Sequence, residues 1–366
     1  MGETIAAVPL IKALHARYPS LPIVVTTMTP TGAAQVKTLL GDITTHLYIP
    51  YDLPGAVERF LNTTQPILSV TMETELWPNM FAACRRKNIP ICLMNARLSE
   101  KSAAGYARIA SLTREMLQSI KVIAAHGKVD AARFVALGAP VERVIVTGNI
   151  KFDITIAEQM IEKGNRLRAA LGSDRFVWIA ASTHEVEEEI ILAAHKKLLQ
   201  LDPQALLILV PRHPDRFDTV AKLVEQSFIV ERRSQSQACK PETAVYLGDT
   251  MGELLVLYSV ADVAFVGGSL IPRGGHNMLE PGVLGKPILT GPHLFNFKEI
   301  SELFISANAL TRVSDADALA KQLAVCLQKP DERLASGERA RQVVLNNRGA
   351  LARQLEIIYQ LMDELA

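Results

Sequence analysis

The chain lacks an excess of charge of either sign. Its 39 lysines and arginines face 38 acidic residues, for a net charge of +1. A general nucleic-acid binder needs a basic excess to meet phosphate, so that class is excluded. Local basic clusters such as "RRK" at residues 85–87 read as solvated helix ends. Cysteine is scarce: Cys84, Cys92, Cys239 and Cys326 are far apart and form no CxxC pair. Zinc ligation is not expected, and a reduced cytosolic compartment is the default. Long hydrophobic runs are missing too. The longest, such as "ALLILV" at residues 205–210, have the length of a strand, whereas a spanning helix needs about 20 apolar residues. The N-terminus shows no basic segment followed by an apolar stretch, so no secretory signal is expected.

What is present is an ordinary folding composition, 49% hydrophobic and 21% charged over 366 residues. On a prior of roughly 100–200 residues each, that is about two domains. Short β-branched runs alternate with helical-period segments: "IVVTT", "HLYIP", "ILSVTM", "ICLMNA", "VIAA" and "VIVTG", then again "FVWIAAS", "ALLILVP", "AVYLGD", "VAFVGGS", "KPILTG" and "ALTRV". Such alternation implies parallel sheets with helices on both faces. A polar helical stretch near residues 154–171 separates the two series, and the last ~40 residues read as two helices hinged at Arg348-Gly349. The expected architecture is α/β, with two doubly wound domains in tandem, 1–153 and 154–366. Such sheets bind ligands at the carboxyl ends of their strands, and a facing pair would place the main pocket in the cleft between them.

The richest stretch is "FVGGSLIPRGGHNMLEPGVLGKPILTGP", residues 265–292. A strand ends at Gly267-Gly268, a loop follows through Gly274-Gly275, and a helix is expected to start near Asn277 as N-cap. Glycines before a helix start allow backbone N–H groups to approach a phosphate, and the helix dipole favours its charge. Glu280, one turn in, is placed to accept from ribose hydroxyls. The same residues also read as an ordinary capping loop; Arg273 and His276 tilt the balance toward an anion site. "LVPRHPDRF" leaves a strand between two prolines with Arg212, His213 and Arg216, and Arg212 is placed for bidentate phosphate pairing; a plain basic surface loop is the alternative. "GDTMGELLVLY" offers backbone N–H groups near Met251, Gly252 and Glu253 at a helix start. In the first half, "METELWPN" packs Glu73, Glu75 and Trp77 into one strand-to-helix turn. "TGNIKFDI" sets Lys151 and Asp153 after a strand, and "MNARLSEKS" carries Asn95 and Arg97. The Asp315-x-Asp317 pair reads as a helix cap rather than a metal site, and His184 as a cap-region histidine rather than a general base. The loops around the phosphate site hold no carboxylate cluster of octahedral spacing, so no metal is expected.

Taken together, "TMTPTG", "PYDLP", "METELWPN", "NARLS", "TGNIKFD", "STHE", "VPRHPDRF", "GDTMGEL", "FVGGSL", "RGGHNMLEP" and "GPHLFNFKEI" resemble the bacterial 3-deoxy-D-manno-octulosonic acid (Kdo) transferase family of lipopolysaccharide synthesis. The resemblance covers essentially the whole chain. It implies the GT-B fold, two Rossmann-like domains facing across a cleft, the first for the acceptor and the second for the nucleotide sugar. It further implies CMP-Kdo as donor with no separate cofactor, and a lipid A precursor as acceptor at the cytoplasmic face of the inner membrane. The transfer is expected to be inverting and metal-independent. Family members begin with a membrane anchor, a first strand and a loop ending in a catalytic glutamate. By that pattern Glu3 is the base, and the chain is expected to be a form shortened just before it. The resemblance places Glu75 and Lys151 near the transferred sugar. It assigns Pro211, Arg212, Met251, Gly252, Glu253, Asn277, Met278, Leu279 and Glu280 to CMP. Without the anchor, a peripheral membrane contact is expected through Lys12, His15 and Arg17. Two rivals are a nucleotide-sugar 2-epimerase, which gives "METELWPN" no role, and a nucleotide-binding protein without catalysis.

Overall fold

The alternating runs become parallel strands in a computed structural model that describes residues 2–235 and 238–365; the side chain of Glu3 lies outside the described part. The strands are β1 (Val24–Thr27), β2 (Thr45–Tyr48), β3 (Ser69–Met72), β4 (Ile91–Ala96), β5 (Val122–Ala125), β6 (Val144–Val146), β7 (Val177–Thr183), β8 (Leu206–Pro211), β9 (Val230–Arg232), β10 (Val245–Leu247), β11 (Val263–Val266), β12 (Ile288–Thr290) and β13 (Leu310–Arg312). The chain divides into two units, Met1–Asp153 with Asn347–Ala366, and Ile154–Asn346.

The second unit holds a seven-stranded sheet in the order β13-β12-β11-β7-β8-β10-β9, with every pairing parallel. Side chains alternate between its faces. Trp178, Ala180, Leu207 and Leu209 enter one core, and Val177, Ile179, Ala181, Leu206, Ile208 and Val210 the other. Both faces are covered, which is why these strands read as unbroken apolar runs rather than alternating ones. Within the first core, the Trp178 indole N–H donates to His195 Nδ1 at 3.2 Å, and His195 Nε2 donates to the Ala244 carbonyl at 2.8 Å. The chain runs outward from β7 to β8, then returns to place β11 on the other side of β7. That reversal is the switch point where open α/β sheets bind ligands. The edge strand β9 was not expected. It has one apolar residue, and Arg232 holds it by pairing with Asp249 and Asp218, each at 2.7 Å.

In the first unit the six expected strands do not form one sheet. β1 and β2 pair only with each other, and β3-β4-β5-β6 form a separate four-stranded parallel sheet. One face of the larger sheet, with Ile91, Leu93 and Ile123, packs on Phe81, Leu117 and Phe134. Its other face is covered by the last helix, Ala350–Leu365, whose Ile358 and Leu361 pack on Cys92, Met94 and Ala124. The expected second domain ran to residue 366; the final helix instead belongs to the first unit. Its polar residues explain why. Gln354 is fully buried, accepts from the backbone N–H of Asn95 at 3.0 Å and donates to Thr147 Oγ1 at 3.0 Å. Asp153 accepts from the N–H groups of Gly349 and Leu351, at 2.6 and 2.7 Å, and so caps the helix start. Asp153 is therefore a structural carboxylate. No helix among the described residues is long and apolar enough to cross a membrane. Of the cations expected to contact one, Lys12 is exposed, while the Arg17 guanidinium lies 4.6 Å from the centre of the Tyr359 ring.

Candidate active site

In the second unit the candidate groups stand at the carboxyl ends of β7, β8, β10 and β11. β7 ends in an irregularity at Ser182, whose φ of 58° puts a non-glycine residue in the left-handed region. The loop that follows is fixed by Glu187. Its buried carboxylate accepts from the backbone N–H groups of Gly268 (2.7 Å), Ser269 (3.0 Å), Leu270 (2.9 Å) and His184 (3.2 Å). Burial raises the pKa of this group and so favours its neutral form, and those four bonds oppose it. Glu187 thus staples the turn after β7 to the turn after β11.

The staple brings two histidines together. His184 Nε2 lies 2.8 Å from His276 Nε2, with the rings within 11° of parallel. Gly268, at φ +67°, makes room for them: a Cβ there would stand 2.8 Å from His276 Cδ2. The His213 ring sits edge-on, 5.5 Å from that of His184. Burial, then His213, Arg273, Arg216 and Arg212, push the His184 pKa down to about 4. Burial, His184, Arg212 and His213 do the same to His276, also to about 4. Arg216 is partly neutralised by Glu188, at 2.6 and 3.2 Å, and Glu188 also accepts from Thr183 Oγ1 at 2.9 Å.

Pro211 is the last residue of β8, and the Arg212 N–H donates to the Thr183 carbonyl at 3.0 Å, so the ends of β7 and β8 are tied. Burial raises the Glu280 pKa, opposed first by the hydrogen bond from Asn277 and then by the charge of Arg212. Asn277 Nδ2 donates to Glu280 Oε1 and its Oδ1 accepts from the Leu279 N–H, both at 3.1 Å. The expected helix is here only Leu279–Val283. Five residues sum few peptide dipoles, so favourable charge for an anion must come chiefly from the arginines, which corrects the expectation of a helix-dipole site. Met278 and Leu279 are buried and offer a ligand only their backbones.

At the end of β10, Met251 is exposed and Gly252 takes φ +80°. The Glu253 carboxylate is held by Arg233 at 3.1 and 2.8 Å and by Thr250 Oγ1 at 2.5 Å, and Arg233 first of all lowers its pKa. Asp249 is committed to Arg232 and to both donors of Ser234. Asp315 caps the helix Ala316–Gln328 by accepting from the N–H groups of Asp317 and Ala318, as its spacing suggested. No group of three potential metal ligands occurs among the described residues.

The first unit also gathers polar groups at its strand ends. Glu73, directly after β3, takes φ 57°, and its carboxylate accepts from Lys151 Nζ at 2.9 Å. Glu75 accepts from the Trp77 indole N–H at 3.3 Å. Sequence reading noted Glu73 but did not select it. Its left-handed backbone turns it toward Lys151, and nothing in the residue order marks that turn. Asn95, in β4, takes φ 49° at an irregularity of the ladder, and its Oδ1 accepts from the Ile150 N–H at 2.9 Å. His126, after β5, is pushed down to about 3 by burial and by Lys151 and Arg97. The side chain of Glu3 lies outside the described residues.

A family model described as "3-Deoxy-D-manno-octulosonic-acid transferase (kdotransferase)" matches residues 1–154. The 3-deoxy-D-manno-octulosonic acid transferase of Haemophilus influenzae is 44% identical over 99% of this chain and 86% of its own length. That of Bordetella pertussis is 36% identical over 98% and 85%. Among solved structures, the C-terminal CMP-Kdo binding domain of WaaA from Acinetobacter baumannii is 39% identical, with a TM-score of 0.50, over 51% of this chain and 99% of that domain. UDP-GlcNAc 2-epimerase from Neisseria meningitidis shares the fold, with a TM-score of 0.63 over 99% of this chain and 97% of that one, at 15% identity.

Proposed function

We propose a donor, an acceptor and a base for this chain, which belongs to the 3-deoxy-D-manno-octulosonic acid transferase family. It is a Kdo transferase on the GT-B fold. The donor is CMP-Kdo, held by the second unit. The acceptor is a lipid A precursor of lipopolysaccharide synthesis, met at the cytoplasmic face of the inner membrane.

The observation that carries the donor reading is the convergence of Arg212, His184 and His276 at the β7/β11 switch point, with Glu280 beside Arg212. Cationic and N–H groups there suit a phosphate, and a carboxylate beside them suits ribose hydroxyls. Likeness to a domain that binds CMP-Kdo supports the same reading. Pro211, Arg212, the backbones of residues 251–253 and 277–279, and Glu280 are assigned to CMP.

In the reaction an acceptor hydroxyl attacks the anomeric carbon of Kdo from the face opposite CMP, with inversion. A carboxylate must take the hydroxyl proton as the bond forms, because an alcohol is a poor nucleophile near neutral pH. Glu3 is assigned that role from its match to the family motif. Glu75 and Lys151, with Glu73 as the partner of Lys151, are assigned to the transferred sugar. CMP departs with added negative charge, which preorganised cationic donors stabilise. No divalent metal is assigned, because Asp249, Glu253, Glu187 and Glu188 are already engaged by arginines or N–H groups. The test is transfer of Kdo from CMP-Kdo to a lipid A precursor, alongside calorimetry with CMP. Arg212→Ala should abolish both; CMP binding that survives the change at full strength would remove Arg212 from the site.

A further inference from the structure

Two imidazole nitrogens 2.8 Å apart need a proton between them. One ring of the His184–His276 pair donates through Nε2 and the other accepts. In the neutral pair, one Nδ1 then carries hydrogen and the other is bare. A single added proton converts the bare Nδ1 into a donor and leaves the shared bond intact. The pair can therefore switch between no charge and one positive charge without moving.

The surroundings set which state holds. Arg212, Arg216 and His213, from the segment after β8, and Arg273, from the loop after β11, all disfavour a charge on His184. Arg212 and His213 do so for His276. The acidic groups packed nearby are committed: Glu187 to four backbone N–H groups, Glu188 to Arg216 and Thr183, Glu280 to Asn277. Without an anion the pair is neutral at pH 7. A negative ligand reverses the local field and favours the added proton. Both rings are half-buried while His213 and Arg273 are exposed, so the pair borders solvent that a ligand can displace. Gly268 and the Glu187 staple hold the pair in place.

We propose that His184 and His276 act as a one-proton anion clamp: the phosphodiester of the donor binds together with one proton taken up by the pair, which then donates hydrogen bonds to phosphate oxygens. The inference rests on the reading of the second unit as the cytidylate-binding unit. It adds two binding residues and makes donor affinity depend on pH, rising as the solution is acidified toward pH 6.

The test uses the methyl ester of cytidine 5′-monophosphate, a phosphodiester with no phosphate proton to exchange near neutrality. Binding heats are measured on the full chain at about pH 6 in two buffers of different ionisation enthalpy, which counts the protons exchanged. Wild type should take up at least about half a proton per site. H184Q and H276Q should lose that uptake and bind roughly tenfold or more weakly, as expected for loss of a charge-assisted bond. Binding of the ester by wild type with no proton uptake overturns the clamp and leaves the donor reading standing; this measurement needs no variant to fold. Uptake that persists in both variants also overturns it. Failure of wild type to bind the ester at all overturns the donor reading, and the clamp with it.

Discussion

Lys151 Nζ donates to Glu73 Oε1 at 2.9 Å, joining the end of β3 to the turn after β6. The two carboxylates of "METELWPN" are thereby distinguished: Glu73 faces the lysine and Glu75 faces Trp77. Lys151→Met should lower the transfer rate by roughly 100-fold, the scale for loss of one preorganised charge, and leave affinity for a cytidine phosphodiester unchanged, since that probe carries no Kdo. Glu73→Gln should reproduce most of the loss and Glu75→Gln less of it. Steady-state kinetics of the three variants decides; equal losses in Glu73→Gln and Glu75→Gln would contradict a distinct role for the Lys151–Glu73 pair.

Glu280→Gln should weaken CMP by about tenfold while leaving a ribose-free phosphate analogue nearly unaffected, because a carboxylate accepts from ribose hydroxyls more strongly than an amide does. Calorimetry with both ligands reads the difference. Equal weakening would mean that Glu280 serves only Asn277, to which it is bonded at 3.1 Å.

Glu187 is a stability residue as well as a staple. Replacing it by alanine leaves buried N–H groups of Gly268, Ser269 and Leu270 without their acceptor. The expected cost is about 3 kcal/mol or more, read as a lower urea midpoint. Glu187→Gln should cost less, since one amide oxygen still accepts. A change within experimental error in the alanine variant would contradict the staple.

Acid should destabilise the second unit before most carboxylates titrate. His195, pushed down to about 4 by burial, is neutral when folded, accepting from Trp178 and donating to Ala244. The unfolded chain takes up a proton near the ordinary histidine value of about 6.5. Stability is therefore full above about pH 6.5 and falls as pH drops toward 4, with a slope of up to about 1.4 kcal/mol per pH unit from this group. Urea titrations followed by Trp178 fluorescence in a Trp77→Phe background between pH 7 and 5 should show a shallower slope in His195→Gln. An identical slope in the variant would assign the acid sensitivity elsewhere.

Transfer should persist in a chelator. Activity lost with EDTA and restored by magnesium would overturn the metal-free assignment, and Asp249 or Glu253 would then have to leave the arginines that hold them.

Repeating patterns in the residue order were enough for the class of fold. The runs around Val177 and Leu206 are apolar at every position because helices cover both faces of that sheet, so parallel α/β structure was legible from residue order alone. The loops that leave strand ends, around Arg212, Gly268 and Glu280, were legible as loops too, because proline and glycine interrupt the strand pattern there. What residue order left open was decided by contacts distant in sequence. The last helix joins the first unit because Gln354 pairs with Asn95 in β4 and Thr147 after β6, while Asp153, also after β6, accepts from the N–H groups at the helix start. The choice of Glu73 over Glu75 and the facing of His184 with His276 have the same origin. Each depends on a left-handed backbone step, at Glu73, Ser182 or Gly268, or on a hydrogen bond spanning dozens of residues. Local propensity carries no record of such steps, because their strain is tolerated only when the surrounding structure holds both ends.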